Sequence, residues 1–222
     1  MEKALAADHS KSTSLKEKLQ AKAESLEEPS RVRLHRAISW LVRAESESED
    51  QDAQFIFLWI AFNAAYAREF GFEESSRQQL REFFAKLLSV DSSHRLRSLL
   101  FKEFAGTIRT LIGNKFVFEP FWRALREHDA SDRWKTQFDL SVKAAMKAIV
   151  SGETGIVLSI VFDRLYVLRN QLVHGGATWN SKINRAQVKD GAAIMMAFIP
   201  AMIDLMLNHP KSVAGDIQYP VV

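Results

Sequence analysis

Phe55-Ile56-Phe57-Leu58-Trp59-Ile60-Ala61-Phe62-Asn63-Ala64-Ala65-Tyr66 is the densest apolar run in the chain, and its reading decides the fold. The run continues toward Phe70 before Gly71 ends it. Nearly every face of a helix built from these residues is apolar, which predicts a central helix over Phe55 to Phe70, surrounded by others. Elsewhere apolar residues recur at three- and four-residue steps instead of alternating, and only nine glycines occur in 222 residues. The class expected is all-α, a multi-helix bundle.

Working outward, Pro29-Ser30 can start a helix that runs to about Ala44, with Leu34, Ile38, Leu41 and Val42 on one face. Further helices are expected over Glu74 to Leu88, His94 to Leu111, Pro120 to His128 and Asp132 to Ile149. Ser131 and Thr154 are natural N-caps. Two long helices follow, from about Thr154 to His174 and from about Arg185 to Leu207, joined by a loop with Gly175-Gly176. The run Glu45 to Asp52 carries five acids and is read as a solvated loop. Residues 1–28 are expected to be a polar tail or an extra helix, 29–210 one helical domain, and 211–222 a C-terminal tail.

A chain of this length with 47% hydrophobic residues can bury roughly 70% of its unfolded surface and needs no staple. It has no cysteine, which excludes disulfides, thiolate zinc sites and a cysteine nucleophile, and fits a reducing cytosol. Thirty basic residues nearly balance 27 acidic ones, so the net charge of +3 is a weak nucleic-acid signal. Met1 to Gln20 has no apolar h-region, and no secretory signal is expected there. Ala192 to Leu207 is apolar but interrupted by Pro200 and Asp204 and shorter than a bilayer core requires, so a buried helix is expected and no membrane partner.

Two motif fragments fail on inspection. Ser151-Gly152-Glu153-Thr154-Gly155 resembles part of a phosphate loop, but Ile156-Val157-Leu158 follows where Gly-Lys-Ser/Thr is needed. Glu127, His128, Asp129 and Asp132 are metal-capable, yet they stand at a helix boundary where such residues are favoured anyway. No metal site and no cofactor is expected.

The stretch Asp163-Arg164-Leu165-Tyr166-Val167-Leu168-Arg169-Asn170-Gln171-Leu172-Val173-His174-Gly175-Gly176 carries the chemistry. At about 100° per residue, Val161, Leu165, Leu168 and Leu172 form a core-facing stripe, with Ser159, Asp163, Tyr166, Asn170 and His174 opposite. An Arg-Asn pair followed by three residues and a His at the end of a late helix resembles the signature of the HEPN family. The aromatic run around Trp59 is similar to the early helix of its Apea-like branch, and the likeness spans Arg31 to Asn208.

That resemblance implies a HEPN-type bundle forming a two-fold dimer in which two Arg/His motifs share a cleft. It also implies metal-independent endoribonuclease activity in a toxin-antitoxin or antiviral defence system, with RNA as substrate and an antitoxin or defence partner protein. Arg169 and His174 would be the catalytic pair, with Asn170 beside the Arg and Asp163 and Tyr166 supporting. Some members of the family do not cleave RNA, and the alternative is a non-catalytic HEPN-like module that binds a nucleotide, RNA or a protein. Asn63 lies in an apolar stripe and needs a partner if buried. It either bonds a neighbouring helix for packing or orients Asn170 or Arg169.

The residue types suit the reaction. Cleavage through the 2′-hydroxyl needs a proton acceptor, a proton donor for the leaving oxygen, and positive charge on the phosphoryl oxygens. An imidazole, titrating near pH ~6.5, can take either proton role, and a guanidinium fork matches two phosphate oxygens. A five-residue spacing leaves Arg169 and His174 about 140° apart on an ideal helix. Either the helix loosens before Gly175, the Arg reaches around, or Arg169 serves the opposite protomer.

Overall fold

The computed structural model describes residues 11–66, 74–182 and 184–213. All regular structure among them is helical. The helices are α1 (Lys11–Ala21), α2 (Glu28–Glu45), α3 (Gln51–Tyr66), α4 (Glu74–Val90), α5 (Arg95–Ser98), α6 (Ala105–Ile112), α7 (Glu119–Arg126), α8 (Arg133–Ser151), α9 (Thr154–Val173) and α10 (Arg185–Asn208).

The aromatic run lies in α3, and α3 is central. Phe55, Leu58, Trp59, Ala61, Phe62 and Ala65 are all buried between α2, α9 and α10. The middle of the core is Phe162 of α9. Its ring centroid lies 4.6 Å from Phe62, 5.1 Å from Phe84 of α4 and 5.0 Å from Phe198 of α10. Four helices therefore meet at one side chain. Gly191 of α10 permits the closest approach, because a Cβ there would stand 2.9 Å from Phe55 and 3.1 Å from Leu165. Helix α10 is long and apolar enough to cross a membrane, but 72% of its apolar window is buried inside the fold, as in a core helix of a soluble protein.

Several expectations change at the boundaries. Of the two forms expected for the N-terminal segment, Lys11–Ala21 takes the extra helix, and it is docked: Leu15 and Leu19 are buried, Ser12 bonds Glu45, and Lys18 pairs with Asp204 at 2.6 Å. Residues 1–10 and 67–73, including the expected end of α3 at Phe70, lie outside the described residues. At the C-terminal end, Val213 is buried and its carbonyl accepts a bond from Arg33 at 2.7 Å; residues 214–222 lie outside the described part. Val42 turns outward at 47% exposure, because it sits at the edge of the stripe formed by Leu34, Ile38 and Leu41.

The helix expected over His94 to Leu111 is broken. A π-helical turn, Leu99–Glu103, inserts a residue, Phe104 N–H bonds Leu99 C=O at 2.9 Å, and α6 restarts at Ala105. Helix α5 is capped from a distance by buried Asp91, whose carboxylate accepts the N–H groups of Arg95 at 2.9 Å and Leu96 at 2.8 Å. Neither proposed N-cap stands as such. Asp132, at positive φ, precedes α8, and Glu153 precedes α9, with Thr154 already inside the helix.

Candidate functional site

The apolar stripe of α9 faces the core as expected: Val161, Leu165 and Leu168 are fully buried and Leu172 is half-buried. Its opposite stripe divides into two groups along the helix. Toward the C-terminus, Arg169 is half-buried and donates through Nη1 to Asn170 Oδ1 at 2.9 Å. The helix ends at Val173. His174 is its exposed C-cap, at φ −96° and ψ 16°, with its N–H on Asn170 C=O at 3.0 Å. Gly175 then takes a φ of +70°, a left-handed turn that glycine adopts without strain. The chain leaves the helix only after His174, whose N–H keeps the helical bond to Asn170, and no hydrogen bond joins His174 to Arg169 among the described residues.

The second group lies toward the middle of the helix. Tyr166 packs on Trp59 at 5.9 Å, and Asp163 pairs with Arg77 of α4 at 3.5 Å. Burial pushes the Asp163 carboxyl up, opposed by Arg77. Trp59 against Tyr166 and Phe62 against Phe162 show α3 running antiparallel to α9, which sets Asn63 level with Phe162 and Asp163. Its buried Oδ1 has no hydrogen-bond partner among the described residues. At 1.5 Å per residue Asp163 is about 16 Å along the axis from His174 and about 9 Å from Arg169, and neither Asn63 nor Asp163 bonds Arg169, Asn170 or His174 among the described residues.

What holds that end is a set of residues the sequence reading did not single out. Gln171 donates to Phe116 C=O at 2.6 Å and accepts from Asn184 at 3.0 Å, fixing both sides of the segment after His174. Asp52, only 6% exposed, accepts the N–H of Asn180 at 2.8 Å and Arg185 Nη2 at 2.6 Å. Asp50 accepts the indole N–H of Trp179 at 2.9 Å, while its other oxygen caps α3 through the N–H groups of Asp52 and Ala53. The acidic run is therefore no simple solvated loop. Its last two acids form a latch on the loop that leaves His174. An Asp directly before an apolar helix is an N-cap signal that could have found Asp50; nothing local marks Asp52.

Around the motif, Val173 is 46% and Trp179 70% exposed. A groove of about 1030 Å³ lies elsewhere, between α4, α5 and the first half of α9, bordered by Arg81, His94, Arg97, Ser159 and Asp163. Arg169 and His174 do not line it. Among the described residues no three His, Asp or Glu side chains converge on a common metal position, and Glu127, His128, Asp129 and Asp132 stay exposed at the α7–α8 turn. No family model, no curated protein and no solved structure matches this chain.

Proposed function

We propose that the chain is a metal-independent endoribonuclease of a toxin-antitoxin or antiviral defence system. In this reading it is a cytoplasmic HEPN-type homodimer restrained by a partner protein. The observation that carries the reading is the state of His174: exposed at the C-cap of a core helix, its N–H on the C=O of Asn170, whose side chain accepts from Arg169, with its departing loop latched to α3. A proton-transfer group held on a rigid element but open to solvent is what such a site requires.

In the proposed step His174 removes the proton of a 2′-hydroxyl. The 2′-oxygen attacks the adjacent phosphorus, the bond from phosphorus to the 5′-oxygen breaks, and that oxygen takes a proton from the second imidazole or from water. Arg169 balances the charge that gathers on the phosphoryl oxygens. The nucleophile belongs to the substrate, so the products are a 2′,3′-cyclic phosphate and a 5′-hydroxyl, and DNA is spared. One chain offers one imidazole here, and the exposed Val173 and Trp179 beside it give a second copy something apolar to cover. A stable pair should bury about 1,000 Å² or more.

A second reading, a non-catalytic module for a nucleotide, RNA or protein, is favoured by two observations: Arg169 spends a donor on Asn170, and the motif lies outside the 1030 Å³ groove. Purified protein incubated with mixed RNAs in EDTA separates the two. Cleavage by the wild type, reduced 10²- to 10⁴-fold in His174→Ala and in Arg169→Ala with the fold intact, supports the enzyme. Equal activity in wild type and variants, or 5′-phosphate products, overturns it.

A further inference from the structure

Arg164 is 3% exposed, and no carboxylate lies within ion-pair distance of it among the described residues. A buried guanidinium is costly unless its donors are matched. The ring of Phe118 lies 4.4 Å from its guanidinium carbon and that of Phe138 5.7 Å, both on one side, since the two rings are themselves in contact at 5.3 Å. On its edge, Nη2 donates to Ser141 Oγ at 3.1 Å and distantly to Ile112 C=O at 3.4 Å, while the buried Nε has no partner. Ser141 accepts from Arg164, so its own O–H remains to be donated, and no acceptor for it appears among the described residues.

Arg164 and Ser141 border a recess of about 250 Å³ between α4, α7, α8 and α9, with Arg77 and Gln137 also on its wall. Two carboxylates line it as well. Glu119 is already held by Arg123 at 2.7 Å and Arg126 at 2.9 Å, and Asp163 by Arg77. Both carboxylates are thus engaged by guanidiniums other than Arg164, which has no ion-pair partner among the described residues. Burial pushes Arg164 down to about 10, a displacement that a bound anion would reverse. Ile160 and Asp163 line both this recess and the 1030 Å³ groove, so the two spaces adjoin.

We propose that the recess binds a small oxyanion, a phosphate group, with Arg164 and Ser141 as its donors, and that the rest of a phosphate-bearing ligand lies in the adjoining groove. A guanidinium edge flanked by a hydroxyl suits a tetrahedral oxyanion. The site is separate from Arg169 and His174 and does not depend on ribonuclease activity.

The test uses the full chain and inorganic phosphate, titrated against sodium chloride at matched ionic strength, with thermal unfolding and phosphorus NMR line width as readouts. The wild type should show a saturable rise in Tm and line broadening. Ser141→Asp supplies a carboxylate to Arg164. It should raise Tm in phosphate-free buffer and weaken phosphate binding at least tenfold. Arg164→Gln should lose the response; if it fails to fold, Ser141→Asp still decides. A wild type with no saturable response beyond the chloride control, or a Ser141→Asp protein that binds phosphate as before, overturns the proposal.

Discussion

Asp52→Ala is the most informative single change at the latch, because Asp52 is nearly buried yet holds two groups that come from more than 120 residues away. The wild-type carboxylate makes two charge-assisted bonds, at 2.6 Å to Arg185 and 2.8 Å to the N–H of Asn180. Hydrogen bonds to charged groups are worth about 1.5–3 kcal/mol each, and breaking a buried pair costs about 3–5 kcal/mol. The upper values need discounting here, since the Arg185 side chain is 29% exposed and keeps a bond to Ser181 C=O at 3.2 Å. That leaves about 2–4 kcal/mol, a Tm drop of roughly 5–10 °C for a domain of this size. Asp52→Asn should fall about halfway, since an amide oxygen can still accept from Asn180. A double-mutant cycle with Arg185→Met isolates the pair and should give a coupling of about 1–2 kcal/mol. Chemical denaturation supplies the numbers. If Asp52→Ala stays within about 0.5 kcal/mol of wild type, the range of an ordinary surface change, the latch does not hold the loop.

Gly191→Ala should destabilise by about 1–3 kcal/mol, because the added methyl meets Phe55 and Leu165 from two different helices and the gain in helix propensity is at most ~1 kcal/mol; equilibrium unfolding checks it. Arg164→Met should lie within about 1 kcal/mol of wild type in phosphate-free buffer, since removing a desolvated charge offsets the loss of its bond to Ser141 and its contact with Phe118. The N–H of Ala53 and the indole of Trp179 hold the Asp50 carboxyl below its ordinary value of 3.8. A depressed folded value means the stabilisation is complete above 3.8 and is lost only as pH falls through the lower folded value. Fluorescence of wild type minus Trp179→Phe should therefore be flat from neutral pH down past 3.8, and a transition at higher pH would contradict the tie. Light scattering at micromolar concentration should give a dimer, and a strict monomer would remove the shared-cleft form of the proposed enzyme.

Which parts of the fold can be read from the sequence follows from how local their causes are. The centrality of α3 is local: a run so apolar is driven inside, and Phe55, Leu58, Trp59, Ala61, Phe62 and Ala65 are buried while Ile56, Phe57 and Ile60 are partly covered. The three-to-four spacing in α9 is equally local and places Val161, Leu165 and Leu168 in the core. Helix α1 is not legible in this way. Only Leu15 and Leu19 mark its buried face, and its docking also uses Lys18 on Asp204, 186 residues away. The π turn at Leu99–Glu103 is hidden for the opposite reason, since apolar residues continue through it and only the backbone register shifts.

The candidate site divides along the same line. Arg169, Asn170 and His174 can be picked out because they sit close together on one helix end, and the direct bond from Arg169 to Asn170 is a neighbour contact. Asn63, Asp163 and Tyr166 share a stripe or an apolar surrounding with them, but a helix separates residues by 1.5 Å each, and periodicity alone does not say how far along the axis a contact lies. The latch is invisible to any local reading, because a carboxylate in a run of five acids looks like a solvated one until the chain returns with Asn180 and Arg185. Arg164 was obscured by the same convention. A helical arginine between Asp163 and Leu165 reads as surface charge, yet Phe118 and Phe138 close over it from two other helical segments. In both cases a charged group is buried by distant partners. Buried charges are where tertiary structure overrides local pattern and where a functional or positioning role should be sought. By that argument mutagenesis of this chain should begin at Asp52 and Arg164 alongside His174.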